Sequence, residues 1–153
     1  MDLFPPPLKV FRRVEFAQTD AAGIMHFSTY YFFMESAEAE LFRILNADLL
    51  WKEAGLECGF PRVDSQCRFL RPVQFGDEIR IELRVAELTH TRIRYAFDFF
   101  SETGERCAEG SLMVAAAKRN PNGKLTTCYL PETLYEALNA WRKSAEINPP
   151  TIS

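Results

Sequence analysis

The sequence holds only two histidines, His26 and His90, and they are far apart. Its four cysteines, Cys58, Cys67, Cys107 and Cys128, form no C-x-x-C pair. Neither pattern has the ligand spacing of a structural zinc site, so the sequence argues against a metal, and reduced cytoplasmic thiols are the default. There is no excess of basic charge: 18 Lys and Arg face 21 Asp and Glu, for a net charge of −3, which disfavours nucleic acid as a partner. No apolar run is long enough for a membrane span. The N-terminal MDLFPPPLKVFRR lacks the basic start and apolar stretch of a secretory signal, and its three prolines read as a stiff arm over residues 1–7. Glycine-rich phosphate loops are missing, both G-x-G-x-x-G and G-x-x-x-x-G-K-[ST]. So is the G-x-S-x-G elbow of serine hydrolases.

What is present is a soluble, aromatic-rich composition. Hydrophobic residues make up 47% of the 153 positions, and 13 are Phe. That length suits one domain, 1–153, with a sizeable core. So much Phe means aromatic packing, and an apolar ligand pocket is the alternative. Leu8, Val10, Val14 and Phe16 share one face of a first strand. From Ser28 to Leu45 the spacing turns helical, with Tyr30, Phe33, Met34, Ala37, Leu41, Ile44 and Leu45 three and four apart. Tyr31, Phe32 and Phe42 make this helix apolar on nearly every side, the mark of burial. Ser28 or Thr29 would cap it, and Asp48 would open a short second helix through Glu53, stopped by Gly55. Strands follow: one alternating at Val63, Cys67 and Phe69, one at Ile79, Ile81, Leu83 and Val85, one at Ile93, Tyr95, Phe97 and Phe99, and one from Arg106 to Arg119. Turns fall at 102–105 and 120–123, and a C-terminal helix over 131–143 presents Leu134, Leu138 and Trp141. Consecutive strands with short turns against one buried helix predict a two-layer α+β fold with an antiparallel sheet.

The chemistry concentrates in QTDAAGIMHFSTYY, Gln18 to Tyr31. A helix N-terminus offers unpaired N–H groups and a positive partial charge, a place for a developing oxyanion. Gly23 lets the backbone approach a ligand, and the Asp20 carboxylate beside such donors could attack a polarised carbonyl or activate water. The plainer reading is that Asp20 caps a turn that Gly23 permits.

The segment VEFAQTDAAGIMHFSTYYFFMESAE resembles the signature of the 4-hydroxybenzoyl-CoA thioesterase family, and FPRVDSQCRFLRPVQFGDEIRIELRV resembles its F-P-x-V…P-x-x-x-G-D segment. The likeness runs from about Lys9 to Lys118. It implies the hot-dog fold, a long central helix wrapped by a curved antiparallel sheet of about five strands. It also implies hydrolysis of acyl-CoA thioesters by homodimers or homotetramers with sites at subunit interfaces. Coenzyme A then enters as part of the substrate, with no separate cofactor. By resemblance Asp20 is nucleophile or general base and the Phe27 N–H is the oxyanion donor; relatives often carry Tyr or His at the Phe27 position. His26 lines the thioester pocket or is a hydrogen-bonded loop residue, and Glu35 matches an acidic helix position with a catalytic or structural role. Pro61 and Val63 resemble the acyl-pocket strand, and His90, Thr91 and Arg92 fall where relatives contact CoA. Tyr30 to Phe33 could face an aryl or medium-length acyl group, or only pack. An acyl-CoA hydratase on the same fold is a rival, although the D-x-N-x-x-H-like spacing is missing. A non-catalytic acyl-CoA binder is another.

Overall fold

The computed structural model describes residues 5–147, the last three by backbone alone. The first four residues of the proline-rich arm therefore lie outside the described residues. Five strands form the main sheet in the order β1-β5-β6-β7-β4, every pair antiparallel. They are β1 (Leu8–Arg13), β4 (Arg62–Phe69), β5 (Glu78–Leu88), β6 (Arg92–Phe100) and β7 (Arg106–Ala115). A second sheet, ordered β2-β3-β8-β9, comprises β2 (Trp51–Glu53), β3 (Leu56–Gly59), β8 (Ala117–Arg119) and β9 (Leu125–Thr127). The strand expected over 106–119 is broken at Ala116, where the chain leaves one sheet for the other.

The helix α1 (Phe27–Ile44) lies on the main sheet. Tyr30, Phe33, Met34, Ala37 and Leu41 meet the inward rows of β5 and β6, Ile79, Ile81 and Leu83 with Ile93, Tyr95, Phe97 and Phe99. Each buried Phe, Leu, Ile or Met among them stabilises the fold by about 1.5–3 kcal/mol. Gly110 on β7 marks the closest approach: a Cβ there would sit 2.7 Å from Met34 Sδ and 3.1 Å from the Gln66 carbonyl. The helix α2 (Glu132–Ile147) packs on β5 through the expected face, Leu134, Leu138 and Trp141 all being buried, and runs past the expected 131–143.

Several expectations need correction. The first strand ends at Arg13, before a 3-10 turn over Phe16–Gln18. The helix cap is His26, one position ahead of α1, rather than Ser28 or Thr29; its Nδ1 accepts the Ser28 N–H at 3.3 Å. Residues 48–53 form no helix. Ala54 and Gly55 both take positive φ, 50° and 79°, which closes a two-residue hairpin and makes Trp51–Glu53 a strand. The helix is not enclosed on every side, for Phe32 is 65% exposed. The alternation in β4 does not mark burial either: Val63 and Phe69 are each 50% exposed, because β4 is an edge strand paired only with β7.

Candidate active site

The segment 19–25 folds back on itself. Thr19 bridges Met25, Ile24 bridges Gln74, and the Met25 N–H donates to the Val73 carbonyl at 2.6 Å. Asp20 sits at the turn, its N–H bonded to the Ile24 carbonyl at 2.8 Å. Its carboxylate Oδ1 accepts the Ala22 N–H at 2.8 Å, leaving the other oxygen outside the turn. Gly23, at φ +77°, closes the turn and donates to the Asp20 carbonyl at 3.0 Å. That φ is costly for any residue with a Cβ.

Three residues past Gly23, His26 ends this extension and opens α1. Its backbone N–H is tied to the Gln18 carbonyl at 2.8 Å, and its ring Nδ1 lies 2.7 Å from Ser28 Oγ. The His26 ring occupies the Ser28 N–H, and the His26 carbonyl occupies the Thr29 N–H at 2.9 Å. The Phe27 N–H is the first of the helix and has no acceptor within it. The positive end of the helix dipole lies at this N–H.

Asp20 and Phe27 line one cleft of about 400 Å³, with Met25, Tyr30, Phe69 and Arg71 among its other walls. Tyr30 is buried edge-on against Phe69, ring centroids 5.1 Å apart, and against Phe99 at 5.3 Å. Burial first, then the neighbouring Cys107 and Cys67, pushes its phenol up to about 12, so it stays a neutral donor. The cleft is thus a largely apolar slot lined by the carboxylate residue Asp20 and the first residue of α1.

The other expected residues do not line this cleft. His26 works from beneath it, as the helix cap. Glu35 is 61% exposed and pairs with Arg62 at 3.3 Å. Pro61 and Val63 lie at the opposite end of β4 from Phe69, about 20 Å away along the strand. His90 and Thr91 are in the β5–β6 hairpin. His90 stacks on Tyr135 at 3.9 Å and its carbonyl accepts the Leu130 N–H, while the Thr91 carbonyl accepts the Ala116 N–H. Arg92 opens β6 and has no carboxylate partner among the described residues, its guanidinium touching only Met113 Sδ at 3.9 Å.

Sequence reasoning passed over the cleft walls Met25, Phe69 and Arg71, which the cross-bridges of the 19–25 segment bring together. It also passed over Glu38, which is only 1% exposed and bonded to both terminal nitrogens of Arg62 at 2.7 and 3.0 Å. Burial raises its carboxyl above the usual value, outweighing the opposing pull of Arg62. The Tyr95 hydroxyl beside it is buried with no partner of ordinary hydrogen-bond geometry, and burial, then the Glu38 charge, pushes its phenol well up. A signal existed: Glu38 falls in the stripe of Met34, Ala37 and Leu41, where a carboxylate requires a partner.

A long helix held against a curved antiparallel sheet is the architecture of the hot-dog thioesterases. Residues 14–146 match the model of the thioesterase-like superfamily, and the chain belongs to that family. It is 33% identical over 107 residues to the 1,4-dihydroxy-2-naphthoyl-CoA hydrolase of Thermosynechococcus vestitus, covering 68% of this chain and 72% of that one. Its fold superposes on a gentisyl-coenzyme A thioesterase with a TM-score of 0.72 at 26% identity, covering 86% and 99% of the two chains. For the 1,4-dihydroxy-2-naphthoyl-CoA thioesterase of Synechocystis the TM-score is 0.74 at 18% identity, with 86% and 94% covered, a likeness of fold alone. No helix among the described residues is long and apolar enough to cross a membrane.

Proposed function

We propose that this enzyme hydrolyses an aryl-CoA thioester with Asp20 as the reacting carboxylate and the Phe27 N–H as oxyanion donor. The observation that carries this is the shared cleft, lined both by Asp20 and by Phe27 at the start of α1, beside the Tyr30–Phe69 aromatic slot. The aromatic substrates named for the relatives, a dihydroxynaphthoyl and a gentisyl thioester, fit such a slot. With the carbonyl oxygen on the Phe27 N–H, Asp20 attacks the carbonyl carbon. The C–S bond breaks, CoA leaves as a thiolate, and a mixed anhydride forms that water opens to the free acid and the Asp20 carboxylate. In the general-base variant, Asp20 takes a proton from water, and the water oxygen makes the new bond. The thiolate is a good leaving group, so no strong acid is needed in either case.

The working unit in this reading is a homodimer built on the free edge of β4. At about 3.3 Å per residue the eleven residues of β5 span roughly 36 Å. They separate the Asp20 cleft, which bridges Gln74 just before β5, from the His90–Arg92 hairpin after it. One chain therefore cannot bring Arg92 to its own Asp20. Antiparallel pairing of two β4 strands about a two-fold axis would set the first half of one against the second half of the other. The Pro61, Val63 and Arg92 end of one protomer would then flank the Asp20 cleft of its partner, with Arg92 free to meet a CoA phosphate. The four free thiols suit a cytoplasmic setting, and the reaction needs no cofactor beyond the CoA of the substrate.

Steady-state hydrolysis of benzoyl, dihydroxynaphthoyl and medium-chain aliphatic CoA esters tests the reading. An aryl ester should exceed the aliphatic ones at least about tenfold in kcat/KM, roughly 1.4 kcal/mol of discrimination. Equal rates would remove the aryl assignment. No turnover of any ester, or hydration of an enoyl-CoA instead, would remove the thioesterase reading itself.

A further inference from the structure

The second sheet carries a cluster that the cysteine spacing hides. Glu53 ends β2, Cys58 lies in β3, and Cys128 follows β9. Their ligand atoms, one carboxylate oxygen and two sulfurs, all lie within 4.8 Å of one another. The register explains the convergence. Trp51 pairs with Cys58 and Glu53 with Leu56, so Glu53 and Cys58 are diagonal neighbours on one face. Cys58 pairs with Lys118 across β8, Ala117 pairs with Thr127, and the Cys128 N–H bonds the Ala116 carbonyl. By strand alternation Cys128 points to the same side as Cys58.

Both thiols are buried, Glu53 is exposed, and none of the three lines the Asp20 cleft. Lone buried cysteines usually pack as small hydrophobes. Two that lean toward each other across an intervening strand, with a carboxylate completing the triangle, form a chelating set. A disulfide is the wrong bridge for this pair. Strands two places apart in a sheet have backbones about 9–10 Å apart, whereas a disulfide wants Cα atoms within about 7 Å. A metal ion fits better. Bonds of about 2.3 Å from zinc to each sulfur in tetrahedral geometry place the sulfurs about 3.8 Å apart. The two sulfurs already lie within 4.8 Å of each other, near that spacing.

We infer that Glu53, Cys58 and Cys128 form a binding site for a thiolate-seeking divalent cation, Zn²⁺ by ligand type, with a fourth position open to water. Binding exchanges two thiol protons for one Zn²⁺ and ties the β2–β3 hairpin to the segment after β9. Lys118, the register partner of Cys58, adds a positive charge on the same face as the Glu53 carboxylate. The proton exchange makes affinity rise with pH.

The test uses the full-length reduced protein, stripped of metal and titrated with Co²⁺ and Zn²⁺. One Co²⁺ per chain should give thiolate-to-cobalt charge transfer and the intense visible bands of a tetrahedral site, and Zn²⁺ should displace it. The charge-transfer band should vanish in Cys58→Ala and Cys128→Ala and persist in the Cys67→Ala/Cys107→Ala double variant. Glu53 is exposed, so Glu53→Gln keeps the fold; it should shift the visible bands and weaken Zn²⁺ binding about tenfold. A wild-type protein without the band, a band that survives loss of Cys58 or Cys128, or a Glu53→Gln titration identical to wild type would overturn the site.

Discussion

Replacing Phe27 with proline removes a backbone hydrogen-bond donor together with the aromatic ring, and little of the fold. Phe27 is the first residue of α1, where the N–H has no partner in the helix and proline is well tolerated. Proline also restricts the residue before it to extended backbone, and His26 already has φ −61° and ψ 138°. The fold should therefore lose less than about 1 kcal/mol, against about 3 kcal/mol for proline inside a helix. If the Phe27 N–H holds the oxyanion, its loss costs about 10²–10³ in kcat, or 2.7–4 kcal/mol of transition-state stabilisation. Phe27→Ala separates the two parts of the residue, because it keeps the N–H and discards the ring that walls the cleft. The assay is release of CoA thiol from an aryl-CoA ester, beside a thermal melt of each variant. Phe27→Pro should melt within about 4 °C of wild type and fall at least about 100-fold below Phe27→Ala in kcat. A folded proline variant within threefold of Phe27→Ala would refute the assignment of this N–H.

Gly110→Ala should destabilise the protein by about 1–3 kcal/mol, because the new methyl meets Met34 Sδ and the Gln66 carbonyl. A thermal melt should fall by about 2–12 °C, and an unchanged midpoint would mean that the helix does not press on β7 there. The pH profile of stability should carry the mark of Glu38. Its folded pKa lies above the usual 4.5, so its contribution is fully present below that value and is lost as pH rises through the folded value. Relative to Glu38→Gln, the wild type should therefore lose stability in denaturant titrations as the pH rises above the usual carboxylate value of 4.5; parallel profiles would contradict the buried-carboxylate account. Mixed chains test the proposed dimer: Asp20→Asn and Arg92→Ala proteins, each impaired alone, should regain about a quarter of wild-type sites when unfolded and refolded together. No recovery in a confirmed mixed dimer would show that Arg92 does not serve the partner's cleft.

The periodic features and the glycine turns at 102–105 and 120–123 were readable from the sequence; the hairpin at 54–55 and the faces turned to solvent were not. The α1 stripe and the β5 and β6 alternations survive because burial of one face dictates their spacing, and the α2 face of Leu134, Leu138 and Trp141 survives for the same reason. Residues 48–53 misled because Ala54, a poor marker for a turn, takes the positive φ that Asn or Asp commonly supplies. The exposed faces of β4 and Phe32 misled differently: apolar side chains turned away from the core look the same in sequence as those turned inward. The turn at Asp20 and the helix start near Phe27 were legible because both are set by local sequence. The far walls Phe69 and Arg71 reach that cleft only through tertiary pairing at Val73 and Gln74, which no spacing rule encodes.

Hydrolysis by Asp20→Asn tests the central claim most directly. Asparagine is nearly isosteric and its carbonyl still accepts the Ala22 N–H, so the turn should hold and the melt should stay close to that of wild type. The account predicts a fall in kcat of about 10²–10⁴ on the best aryl-CoA ester. A folded Asp20→Asn protein with kcat within a few-fold of wild type would contradict it.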